Sequence, residues 1–99
     1  MPTEMVRVIA RITARPEHAD ELKAVLLRIV QPTRAERGCV RYELHQSETD
    51  AADFVFIEEW TDGAAIAAHM QAKHVRDALQ KAAALVAAPP DIRRYHLIA

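Results

Sequence analysis

The chain has one cysteine, two glycines and no apolar run approaching the roughly 20 residues needed to cross a bilayer. The lone Cys39 rules out an internal disulfide and suits a reducing, cytoplasmic setting. Glycine occurs only at Gly38 and Gly63, so no glycine-rich loop can cradle a phosphate, and no nucleotide cofactor is expected. Neither charge is in excess: 13 basic and 14 acidic side chains leave a net charge of -1. Nucleic-acid binding needs a basic stripe, and this balance does not supply one. The opening MPTEMVRVIA lacks a basic segment followed by an apolar one, so no signal peptide is expected. Ser47 lies in no nucleophile motif, and Cys39 has no signature around it, which favours a buried, inert thiol.

What is present fits one soluble domain spanning residues 1–99, with 51% hydrophobic and 27% charged residues. A domain of this size builds a thin core, so self-association would help it. Met5 to Ala14 alternates as a strand, with Val6, Val8, Ala10 and Ile12 on one side. Pro16 suits a first helical position, and Glu17, Asp20 and Glu21 suit the positive end of a helix dipole. Leu22, Val25, Leu26, Ile29 and Thr33 then recur at helical spacing, with Pro32 placed to kink the helix and Gly38 to end it.

Cys39 to Glu48 reads as a second strand, with Val40, Tyr42 and Leu44 on one face and Arg41, Glu43 and His45 on the other. Thr49 to Asp53 is turn-like, and Phe54 to Trp60 completes a hairpin. Thr61 or Asp62 can cap a helix running from Gly63 to about Ala87, with a break expected near Gln71–Lys73. AAPPD stops it, and Ile92 to Ala99 is a final strand. The order β-α-β-β-α-β is the ferredoxin-like α+β arrangement, with both helices on one face of an antiparallel sheet. Phe54, Phe56 and Trp60 occupy one face of the third strand, but Val55 and Ile57 make the other apolar as well. Helices cover only one face, so a second copy of the chain is expected on the other.

His69 and His74 are the candidates for chemistry. Five residues along an unbroken helix turn two side chains about 140° apart, which is poor for a shared metal. No CxxC and no carboxylate-histidine cluster supplies further ligands, so no metal site is expected; a break between the histidines would aim both inward. Glu58 shares strand parity with Phe54, Phe56 and Trp60. If buried it is a candidate acid or base, while a salt bridge to Arg7, Arg11 or Arg41 is the commoner outcome. Trp60 reads as core with its N–H tied to a partner, and Tyr42 either packs or offers a hydroxyl to a ligand.

The stretches RGCVRYELHQS, FVFIEEW and AAHMQAKHV, with Glu58-x-Trp60 followed by His69 and His74, resemble the antibiotic biosynthesis monooxygenase domain family, which includes quinol monooxygenase-like proteins. The resemblance covers nearly the whole chain, in order. It implies a ferredoxin-like protomer that dimerises sheet to sheet into an α+β barrel. It also implies oxygenation of a quinol or phenolic aromatic substrate by O2 without metal, flavin or heme. On the same footing, His69 or His74 is the base, Glu58 assists, and Tyr42, Phe56 and Trp60 line the substrate pocket. Heme-degrading members look for an asparagine, and this chain has none. A branch that isomerises phosphorylated autoinducer-2 would place a phosphate near Lys73, Arg76 or Arg94, and a non-catalytic ligand-binding dimer is the third alternative.

Overall fold

The computed structural model describes residues 5–99; the first part of the segment read as lacking a leader pattern lies outside the described residues. Four strands form one antiparallel sheet: β1 (Val6–Thr13), β2 (Cys39–Gln46), β3 (Asp53–Trp60) and β4 (Asp91–Tyr95). Their spatial order is β2-β3-β1-β4, so the first and third strands are central, as the ferredoxin-like reading requires. β3 alternates fully: Phe54, Phe56, Glu58 and Trp60 are buried, and the residues between them are half-buried. The register sets Glu58 between Val8 and Tyr42, and Phe56 between Ala10 and Leu44.

β2 departs from the expected alternation at its start. Cys39 pairs with Trp60 and Arg41 with Glu59, leaving Val40 as a bulge that is 52% exposed rather than on the face of Tyr42 and Leu44. Cys39 packs, partly buried, against the core instead.

The helices cover one face of the sheet. After a 3-10 turn at Pro16–His18 come α1 (Ala19–Arg28) and α2 (Val30–Arg34). The break falls at Ile29, ahead of Pro32, because the proline has no N–H to offer the carbonyl of Arg28 one turn back. Leu22, Leu26, Ile29 and Thr33 are buried along this broken helix, the apolar stripe read from its spacing. The second helical region divides into α3 (Gly63–Gln71) and α4 (Lys73–Ala82) at Ala72, whose extended backbone (φ -64°, ψ 140°) interrupts it where a break was expected. Asp62 caps α3, its side chain accepting a hydrogen bond from the N–H of Ala65 at 2.9 Å. α4 ends at Ala82 rather than near Ala87. The N–H of Ala87 donates to Thr13 and that of Arg15 to Leu85, so β1's end draws the chain out of the helix. β4 is shorter than the expected Ile92–Ala99 and is exposed throughout.

The face away from the helices carries Ile9, Val55 and Ile57, half-buried, among ion pairs. Glu59 stands between Arg7 at 2.9 Å and Arg41 at 3.2 Å, and Arg11 grips both oxygens of Asp53 at 3.0 Å. Among the described residues no helix is long and apolar enough to cross a membrane.

Gly38 turns the chain into β2 with φ +88°, the left-handed region that glycine enters without penalty. A Cβ added there would lie 2.5 Å from the Cβ of Ala65 and 2.8 Å from Oγ1 of Thr61. At Gly63 an added Cβ would meet only the flexible end of Arg94. Gly38→Ala is therefore expected to cost about 2 kcal/mol or more and lower Tm by roughly 10 °C, whereas Gly63→Ala stays within about 2 °C of the parent. Thermal unfolding followed by circular dichroism checks both; equal shifts would refute the assignment.

Candidate functional site

The break at Ala72 reorients the two histidines. In a continuous helix their side chains would point apart; here His69 Nδ1 and His74 Nε2 both lie 2.8 Å from one oxygen, Oε2 of Glu36. The expectation that no carboxylate joins the histidines is thus corrected: Glu36, in the turn after α2, is the third member. Thr33 adds its hydroxyl 3.2 Å from His74 Nε2. Glu36 does not stand out in the sequence because its partners lie 33 and 38 residues away. A signal was present, since Ile29, Thr33 and Glu36 continue the buried stripe at spacings of four and three, and a carboxylate on such a stripe needs a partner.

His69 is 4% exposed and packs against rings: its centroid is 4.8 Å from that of Trp60 and 5.5 Å from that of Tyr42. Tyr42 in turn stacks on Phe56 at 4.8 Å. Between this wall and the helices lies a cavity lined by Val8, Ala10, Tyr42, Phe56, Glu58, His69 and aliphatic side chains of α1, α3 and α4. Its room for water-sized molecules is about 50 Å³, so it accepts water or dioxygen as it stands. An aromatic ring needs more room than this, so lining side chains have to move aside to admit one. Of the residues singled out from the sequence, Tyr42, Phe56, Glu58 and His69 line this space, while Trp60 stands behind it and His74 outside it. Lys73, Arg76 and Arg94 are not among its lining residues. Lys73 pairs with Asp77, and Arg76 donates to the Gln71 carbonyl.

Glu58 makes no salt bridge to Arg7, Arg11 or Arg41; its neighbour Glu59 takes two of those and Asp53 the third. It is 4% exposed, and one oxygen accepts the Trp60 indole N–H at 2.8 Å. Burial pushes its pKa up to about 7, with the indole N–H pulling the other way and the charge of Glu36 adding to the rise. Burial also drives the Tyr42 phenol far above its usual range, against the effect of a hydrogen bond with Thr33, so Tyr42 remains a proton donor. In the cluster, Oε2 of Glu36 faces Nδ1 of His69, and the tautomer that donates Nδ1–H to this oxygen leaves Nε2 as the acceptor nitrogen. The cavity thus combines an apolar wall with an imidazole, His69, and a carboxyl, Glu58, whose pKa burial raises to about 7.

Because the folded-state pKa of Glu58 lies above the ordinary 4.5, the proton-linked cost of its burial is absent below about pH 4.5 and grows as pH rises through about 7. Glu58→Gln is expected to match the parent below about pH 4.5 and to exceed it by up to roughly 3 kcal/mol above about pH 8. Urea unfolding across that range measures it, and a gap that does not change with pH contradicts the buried-carboxyl assignment.

Comparison with known proteins agrees with this architecture. The family model described as antibiotic biosynthesis monooxygenase matches residues 5–81. An uncharacterised protein of Synechocystis is 30% identical over 90 residues, 91% of this chain; the chain spans only 61% of that relative's length. YcnE of Bacillus subtilis, named provisionally as a monooxygenase, is 32% identical over 93 residues, covering 94% of this chain and 98% of that protein. The crystal structure of PA3566 from Pseudomonas aeruginosa superposes with a TM-score of 0.93 at 35% identity, covering 100% of this chain and 99% of that one. With a family model matched across most of its length and relatives of this similarity, the chain belongs to the antibiotic biosynthesis monooxygenase family.

Proposed function

We propose that the protein is a cofactor-independent monooxygenase acting on a quinol or phenolic aromatic substrate. The observation that carries this reading is a cavity whose apolar wall holds two proton-handling groups, His69 and Glu58. His69 Nε2 takes the phenolic proton while Glu36 holds the other face of the ring. The electron-rich anion passes one electron to O2, and the resulting substrate radical and superoxide combine into a peroxide at a ring carbon bearing hydrogen. Loss of water from that peroxide leaves a carbonyl, so one oxygen atom stays on the substrate and the other leaves as water. Tyr42, Phe56 and, behind them, Trp60 hold the ring system, and the apolar surroundings keep bulk water from the anion. Glu58, titrating near neutrality, assists by returning a proton to the peroxide. His74 acts from outside the lining, through Glu36. Membership of the family and the name of the Bacillus relative support the reaction class. Action in the reducing cytoplasm is part of the same reading and rests on the lone Cys39.

We also infer a homodimer closed through the open sheet face. Ile9, Val55 and Ile57 would be covered there, with the paired Arg7, Glu59 and Arg41 around them. Sedimentation equilibrium is expected to give about twice the chain mass.

Oxygen uptake in the presence of a panel of quinols and naphthols tests the activity. The expected result is uptake matched to product, with His69→Phe slowed by about 100-fold or more. Binding without uptake would point to a ligand-binding module, and conversion of a phosphorylated sugar-like compound without oxygen would point to an isomerase; either outcome overturns the proposal.

A further inference from the structure

Glu36, His69 and His74 do more than orient one another. Two imidazole nitrogens and a carboxylate oxygen, from three separate stretches of chain, lie within 4.8 Å of one another. The side chains are 16%, 6% and 27% exposed respectively, so the donors are held by packing rather than free in solvent. We propose that this trio is a site for a divalent transition-metal ion of the zinc class.

Nitrogen and carboxylate donors are those zinc takes, at about 2.0–2.2 Å, which sets neighbouring donors around a tetrahedral ion about 3.3 Å apart. Glu36 Oε2 stands 2.8 Å from each nitrogen, so those two separations need to open by about half an ångström. Thr33 Oγ1, 3.2 Å from the same His74 nitrogen, marks where a hydroxyl or water completes the set. His74 also lines a surface depression with Ile29, Asp77 and Lys81, which gives an ion a way in from solvent. The other histidine–carboxylate pairs, His18 with Glu21 and His45 with Glu43, are single pairs at the surface and offer only two donors each. Neutral imidazoles and an ionised Glu36 bind the ion without any change of oxidation state.

Binding has a consequence for the cavity that rests on the monooxygenase reading. An ion on His69 Nδ1 moves the ring proton to Nε2, so the nitrogen left for a substrate becomes a donor and no longer accepts a phenolic proton. Zinc is then an inhibitor acting from behind the cavity wall.

Calorimetric titration of metal-free protein with zinc is expected to show one ion per chain at micromolar affinity or tighter, weakened about 100-fold or more by His74→Gln and by Glu36→Gln. Circular dichroism confirms that the variants fold. The parent alone gives a second readout. Cobalt should produce the visible absorption of a four-coordinate nitrogen and oxygen site, and should shift the ring resonances of His69 and His74 but not those of His18, His45 or His96. Zinc binding left unchanged by both substitutions, or absent below millimolar concentration, overturns the site. Binding is read on the resting protein, so a failure of oxygen uptake with zinc binding intact rejects the reaction and leaves the site standing.

Discussion

One carboxylate oxygen, Oε2 of Glu36, receives an imidazole from each side of a broken helix. That shared acceptor ties the turn after α2 to both α3 and α4. Without it, a break at Ala72 would leave two short helices meeting at a flexible corner; with it, the corner has one arrangement. Getting Glu36 there depends on the turn that follows. Gly38, in the left-handed region, passes its carbonyl to the N–H of Thr61 at 2.9 Å and brings the chain hard against Ala65 on α3. A bulkier residue would push that turn away from the helix carrying His69. Backbone conformation at Gly38 and Ala72 therefore sets the chemistry of side chains that neither residue contributes.

Glu58 poses the opposite problem. A carboxyl placed between Val8 and Tyr42 gives up hydration and recovers one indole hydrogen bond. An apolar residue there would stabilise the sheet, so the carboxyl is a local sacrifice of stability to keep a titrating group inside. Trp60 serves two purposes: it fills core volume, and its N–H keeps Glu58 from being buried without any partner.

Most of the architecture was legible because it is written in short-range periodicity. β3's alternation, the stripe from Leu22 to Thr33, the Asp62 cap and the break near Ala72 are all local signals. The structure departs from local pattern where a distant partner decides the outcome. Strict alternation puts Val40 with Tyr42, and a bulge shifts it outward. Alanine favours helix and extends the pattern after Lys73 to about Ala87, yet pairing with Thr13 and Arg15 wins. Glu58 and Glu59 are adjacent carboxylates, and only the register decides which one meets the arginines. At the site, His69 and His74 stood out by residue type, but Glu36, between Ala35 and Arg37, looked like an ordinary surface charge until tertiary contact gave it two partners.

The bulge at Val40 has a further effect, on how the sheet ends. β2 and β4 are the two margins of the sheet, and a regular margin offers a row of unpaired amide groups to any passing strand. Val40 interrupts that row on one margin, increasing the local twist where β2 begins. On the other, Asp91, Arg93 and Arg94 place charges along a strand of only five residues. Lateral growth into fibrils is thereby discouraged on both margins of the sheet.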